Sequence, residues 1–160
     1  LTIVRASFFC QNFSEGPLAD ALKADQFAFP AKDVKEPFID VEDIADVATA
    51  ALTEDGHAGQ VYEVTGPRLM TFADAIAEIS RAAGRKISYA PVSSEAYQSQ
   101  LVAVGFPLET AAQLVELFAT VLDGRNAHLA DGVQRALGRK PVDFADYARV
   151  AAASGVWRLQ

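Results

Sequence analysis

Residues 37–48 pass from a short apolar run straight into a helical pattern. Pro37, Phe38 and Ile39 read as extended, because Pro lacks a ladder donor and suits the first residue of a strand, while Phe and Ile favour a pleated surface. Asp40 then ends the strand and opens a helix. Its carboxylate can accept from the free N–H groups of the first turn, and Asp43, three residues on, can reach back in a shorter capping box. Val41, Ile44, Ala45, Ala48, Ala51 and Leu52 repeat at helical spacing, with Glu42, Asp46 and Thr49 off that face, which predicts a helix to about residue 53 packed along it.

The rest of the chain falls into place around this unit. Leu1 to Arg5 is an apolar, β-branched strand of the kind that lies inside a sheet, buried on both faces and paired on both edges, so at least one neighbour must come from elsewhere. Residues 6–13 mix small, aromatic and amide side chains and suit a loop that leaves a sheet edge toward a pocket. Pro17 sits in the first turn of a short helix, residues 26–29 form a small strand, and residues 30–36 make a polar loop. Gly56 and Gly59 stop the helix. Residues 60–65 alternate as a second strand, able to cover one side of the first, with helices 41–53 and 71–83 over the faces.

Thr71 caps a helix with Phe72, Ile76, Ile79 and Ala83 on its apolar face and Gly84 at its end. Residues 86–92 are a further strand, and Ser93 or Ser94 opens a helix with Tyr97, Leu101 and Val104 inward. The longest helix runs from Pro107 to about Leu122, with Leu108, Ala111, Val115, Phe118 and Leu122 at helical spacing. Only helices follow: a short one over 131–137 and a last one opened by Asp143. The starts at Thr71-Phe72-Ala73-Asp74 and Asp143-Phe144-Ala145-Asp146 resemble each other, but no fixed period links them and we read no repeat. The order of strands and helices predicts an α/β layer arrangement.

Composition narrows the function classes. At 160 residues and 51% hydrophobic the chain makes about one domain with a sizeable core. A net charge of −7 and the lack of any basic run argue against a nucleic-acid partner. No stretch approaches the roughly 20 apolar residues of a membrane helix and no signal segment opens the chain, so no membrane role is expected. The one cysteine, Cys10, reads as a buried small hydrophobe, which fits a reducing, cytoplasmic home.

Candidate chemistry is sparse. Asp40, Glu42, Asp43 and Asp46 are accounted for by capping and by the favourable field of a helix N-terminus; an acid/base pair would need two of them in one cleft. No His or Cys lies at ligand spacing from them, so no metal site is expected beyond a hard cation on oxygen ligands. His57 and His128 read as exposed turn residues, since neither has a nucleophile or acid partner. There is no P-loop, no nucleophile elbow and no Gly-rich strand-to-helix turn to seat a pyrophosphate. No Tyr-x-x-x-Lys pair occurs, because Tyr62, Tyr89, Tyr97 and Tyr147 are followed four residues later by Gly66, Ser93, Leu101 and Ala151. The residues alone therefore give an α/β domain with an incomplete sheet, and no catalytic residue stands out.

Four phrases in order carry a resemblance: Leu1 to Arg5 with Phe8, Phe9 and Asn12; residues 37–45; residues 59–67; and the run from Thr71-Phe72-Ala73-Asp74 through Gly84-Arg85, Tyr89 and Pro91-Val92 to Gly138-Arg139-Lys140-Pro141 with Phe144. Together they resemble the C-terminal half of NmrA-like proteins, atypical members of the short-chain dehydrogenase/reductase group. The resemblance implies a partial Rossmann-like sheet holding only the C-terminal strands (residues 1–84), with a mainly helical substrate-side part (residues 85–160). It implies that Ser7, Phe8 and Phe9 border the nicotinamide end of an NAD(P) cofactor and that Asn12 and Phe38 face a small-molecule substrate. The Gly-rich fingerprint of the family lies in the other half, so no cofactor is expected for this chain alone. Half of an oxidoreductase, a non-catalytic NAD(P)-sensing or protein-binding module, and a truncated relic that assembles as a homo-oligomer through its open sheet edge all remain open.

Overall fold

The computed structural model describes residues 1–158. Strand β1 (Ile3–Ala6) leads into a 3-10 turn (Cys10–Phe13) and helix α1 (Gly16–Ala21). Strands β2 (Gln26–Phe29) and β3 (Lys35–Glu36) precede helix α2 (Val41–Thr53), which β4 (Val61–Val64) and β5 (Met70–Thr71) follow. Helix α3 (Phe72–Ala83) leads to β6 (Ser88–Pro91), and α4 (Ser94–Ala103), α5 (Leu108–Val121), α6 (Gly132–Leu137) and α7 (Phe144–Ser154) complete the chain.

The α/β class holds, but the strands form three separate pairs. β1 lies parallel to β4, β2 parallel to β6, and β3 antiparallel to β5. The extended segment at residues 37–39 is not a strand: it touches the first layer through one parallel bridge, Ile39 to Phe9. The expectation of a buried interior β1 is also corrected. Among the described residues β1 pairs along one edge only, and Ile3, Arg5 and Ala6 are exposed. Over β1 and β4 lie α2 and the short α6, not α3, which packs on α7 and β6. Gly132 makes the α6 contact possible, since a Cβ there would collide with the carbonyl of Glu63 on β4.

Two cores result. The small one joins Ile39, Val47, Tyr62, Val64 and Val133 beneath β1 and β4. The large one is aromatic: Phe13, Phe27, Phe29, Phe38, Phe72 and Phe144 are all buried, with Phe72 set edge-on to Phe38 at 5.2 Å between ring centres. Edge-to-face pairs of this kind add about 0.5–1.5 kcal/mol each beyond the area they bury. Cys10 lies in the same cluster, and burial pushes its thiol up, so it stays protonated and inert.

Cap chemistry explains most helix starts. Thr71 and Asp74 form a complete capping box on α3, Ser93 caps α4 through the Ala96 N–H, and Asp143 caps α7. Asp40 caps α2 by accepting from Glu42 N at 3.0 Å, and Gln11 completes the cap: its Nε2 donates to Asp40 and its Oε1 accepts from Val41 N. Asp43 does not reach back as the sequence pattern suggests. Its fully buried carboxylate accepts from Arg139 and from the backbone N–H of Val142 at 2.7 Å, tying α2 to the segment between α6 and α7.

That tether rotates the expected face of α2. Asp43, Val47 and Ala50 are buried, whereas Leu52, expected inward, is 85% exposed. Two other inward assignments fail for a different reason: Val104 and Leu108 flank the turn between α4 and α5, where the pairing of those two helices leaves the ends in solvent. Replacing Asp43 with Ala should cost about 2–4 kcal/mol, below the full 3–5 for a broken buried pair because Arg139 keeps contact with solvent and with Asp46. Urea melts of the two proteins would measure it. A loss under about 0.5 kcal/mol would show that the tether is idle.

Candidate functional site

The loop after β1 forms one wall of a cleft of about 470 Å³, within the range of small-molecule sites. Ser7, Phe8 and Asn12 line it from the loop, Tyr97 and Leu101 from α4, and Phe118 with its neighbours from α5. The wall is placed by packing. Phe8 stands edge-on to Phe38 at 5.7 Å and to Phe72 at 5.3 Å, so one side of its ring is fixed by the aromatic core while the rest borders the cleft. Ser7 donates its hydroxyl proton to the Pro37 carbonyl at 2.6 Å, which leaves its oxygen free only to accept.

The five residues marked in the sequence do not all meet. Ser7, Phe8 and Asn12 come together on the cleft. Phe9 is partly exposed and lies off it, held through its backbone bridge to Ile39, and Phe38 is buried in the aromatic core behind Phe8. Gly66, which follows β4, presses against the carbonyl of Phe38, so only glycine fits between these two segments.

Glu36 is the residue that sequence reasoning passed over. It ends β3, where its backbone pairs with Met70, and its side chain lines the cleft with only 1% of the residue exposed. Its Oε1 is buried without a hydrogen-bond partner among the described residues. Burial is the main cause that pushes its carboxyl up to about 7, with the charge of Asp123 adding to the effect and His128 opposing it. A lone acid in a polar loop carries no periodic signal, so nothing in the sequence marks it. Tyr97 shares the wall, and burial pushes its phenol up to about 12, which keeps it neutral near pH 7.

The histidines split. His57 is buried, not exposed as expected, because its Nδ1 and the Tyr62 hydroxyl share a hydrogen bond of 2.8 Å. His128 stays exposed and pairs with Glu63 at 2.6 Å beside a small polar cavity that shares Ser7 and Asn126 with the main cleft. No group of three or more His, Cys, Asp or Glu side chains with metal-binding geometry occurs among the described residues, and none of the described helices is long and apolar enough to cross a membrane.

An α/β chain with parallel strand pairs, helices over them and an apolar cleft at the C-terminal end of its first strand has the layout of part of a Rossmann-like fold. The chain belongs to the NmrA-like family, whose pattern matches residues 1–148. It is 35% identical over 153 residues to an NAD(P)H azoreductase of Xenophilus azovorans, covering 96% of this chain and 53% of that protein. It is 33% identical over 162 residues to an agroclavine dehydrogenase of Claviceps fusiformis, covering 99% of this chain and 55% of that protein. Among solved structures, the triphenylmethane reductase of a Citrobacter species bound to NADP(H) superposes with a TM-score of 0.80 at 20% identity, over 94% of this chain and 53% of that one. The NADPH complex of a quinone oxidoreductase from Escherichia coli gives 0.79 at 23% identity, over 92% of this chain and 53% of that one. The chain spans about half the length of the relatives it matches.

Whether these residues suit a dinucleotide can be judged from the turns. A pyrophosphate seat needs a glycine between strand and helix so that backbone N–H groups can approach the phosphates. The links from β1 to the 3-10 turn, from β5 to α3 and from β6 to α4 contain no glycine, and Gly66, between β4 and β5, is filled by the Phe38 carbonyl. The described residues do not fit the phosphate end of the cofactor.

Proposed function

We propose that this chain forms the substrate-side, C-terminal half of an NAD(P)-dependent oxidoreductase that reduces an apolar small molecule. The observation that carries the reading is the cleft walled by Ser7, Phe8 and Asn12, at the end of the first strand of a chain of this family. The azoreductase and dehydrogenase relatives support the reaction class. The cofactor supplies a hydride; the residues here shape the cleft, exclude water and orient the substrate. Ser7 and Phe8, with Phe9 beside them, lie toward the nicotinamide end, and Asn12 toward the substrate, with Phe38 supporting Phe8 from behind.

On this reading the 160-residue chain alone binds NADPH or NADH no tighter than about 10 μM, roughly −7 kcal/mol, because the phosphate end has no seat. Titration calorimetry tests it. Joining the chain to the Gly-rich half of a family member should restore binding and NADPH oxidation, and Phe8→Asp in that chimaera should cut turnover at least tenfold. Unchanged turnover would remove the cleft from the active site.

We also propose that the open edge of β1 is covered by another copy of this chain when no further strand is supplied. The support is the exposed Ile3, on a strand that bonds to β4 along one edge only. Light scattering across a concentration series should give a mass above that of one chain, and Ile3→Lys should lower it. One-chain mass at every concentration, the same in the variant, would remove the proposal.

A further inference from the structure

The cleft is apolar along most of its length, and among the described residues its only charged lining side chains are Glu15 and Glu36. Both are acids; no Lys, Arg or His side chain faces the same space. Glu15 is exposed at the rim, whereas Glu36 is almost wholly buried and its Oε1 lacks a hydrogen-bond partner among the described residues. A carboxyl so placed is costly to keep ionised unless a partner arrives to neutralise it. The described residues provide none. Asp123 is held by Arg125, His128 is held by Glu63, and Lys35, the preceding residue on β3, is exposed.

We propose that Glu36 selects the ligand of this cleft, which is an apolar molecule carrying one basic nitrogen, and that the protonated nitrogen pairs with the Glu36 carboxylate. The inference rests on the cleft being the substrate site and names the class of molecule that enters it. An apolar body fits the walls from α4 and α5, and a single cation meets the single buried acid. Binding is then linked to pH. Because the Glu36 carboxyl titrates at about 7, it must lose its proton to pair with the cation. The ionised fraction rises from about a tenth at pH 6 to about nine tenths at pH 8, so affinity for a cation should rise roughly tenfold over that interval.

The test uses the 160-residue protein and two probes of one shape, 1-naphthylmethylamine, charged throughout this range, and the neutral 1-naphthylmethanol. At pH 8 the amine should bind about tenfold more tightly than the alcohol, the advantage should shrink at least severalfold at pH 6, and Glu36→Gln should abolish both the preference and its pH dependence. In parallel, the carboxyl ¹³C signal of Glu36 in the unaltered protein should titrate at a lower pH with the amine present and not with the alcohol. Equal affinity for the two probes, or a preference that persists in Glu36→Gln with the same pH dependence, would overturn the inference and leave the cleft standing. Absence of binding by either probe at millimolar concentration would overturn the cleft reading and this inference together.

Discussion

Glu36→Gln should make the folded chain more stable than the parent at pH 8, by about 1–3 kcal/mol, and no more stable at pH 4. The sign follows from the direction of the shift. The carboxyl titrates at about 7 in the folded protein against an ordinary value of 4.5, so between those two pH values the folded state holds a proton that the unfolded state has released. Stability contributed by Glu36 is therefore full below pH 4.5, falls as the pH rises, and is gone above about pH 7. At 1.36 kcal/mol per unit the whole loss is about 3 kcal/mol. Gln removes the charge but brings an amide whose donors need partners in the same place, which offsets part of the gain.

Other groups contribute to the pH profile with the opposite sign. Arg68 holds the Asp143 carboxyl below its usual range, and hydrogen bonds from Thr71 do the same for Asp74, so both favour the folded state more as the pH rises. Denaturant melts of parent and variant at intervals from pH 4 to 9 isolate Glu36 as the difference between two curves. Parallel curves would show that the carboxyl is not strained by its surroundings.

How much of this was legible beforehand depended on the range of the interaction. Thr71 and Asp74 sit three residues apart and bond each other, so the start of α3 could be read from the chain alone, as could the alternation of Val61 to Val64. Ser7, Phe8 and Asn12 were marked through a resemblance, since nothing in their spacing points to a cleft. Asp43 was misread because its partner Arg139 is 96 positions away, and a carboxylate bound at that distance looks in sequence like any acid in a helix's first turn. His57 was misread likewise: the Tyr62 hydroxyl that receives it lies on a strand whose orientation is settled only when β1 pairs beside it. The pairing of β1 with β4 was expected, but the β2–β6 and β3–β5 pairs were invisible, because strand periodicity reports burial on a face and says nothing of which edges are joined.

Trp157 escaped attention for the same reason, and its replacement should have the largest effect on stability. It is the only tryptophan and is 1% exposed, in a segment with no periodic signal. Its ring stands edge-on to Tyr147 of α7, and its indole Nε1–H donates to the carbonyl of Phe13 at 2.7 Å. Phe13 in turn packs on Phe8, Phe38 and Phe72, so the segment after α7 clamps the turn that carries the cleft loop. Trp157→Ala removes the ring, leaves a cavity beside Tyr147 and strands the Phe13 carbonyl, for an expected loss of about 3–5 kcal/mol. Trp157→Phe keeps much of the packing and loses mainly the hydrogen bond, for an expected loss of about 1–2 kcal/mol. Far-UV circular dichroism must follow the urea melts, since both variants lack the fluorophore. Coupling to the cleft gives a second readout: any probe that binds the cleft should bind Trp157→Phe more weakly, because Phe13 and with it Phe8 are freed to shift. Equal stability of all three proteins would show that the segment after α7 is not part of the core, and weakened stability with unchanged probe affinity would detach the clamp from the site.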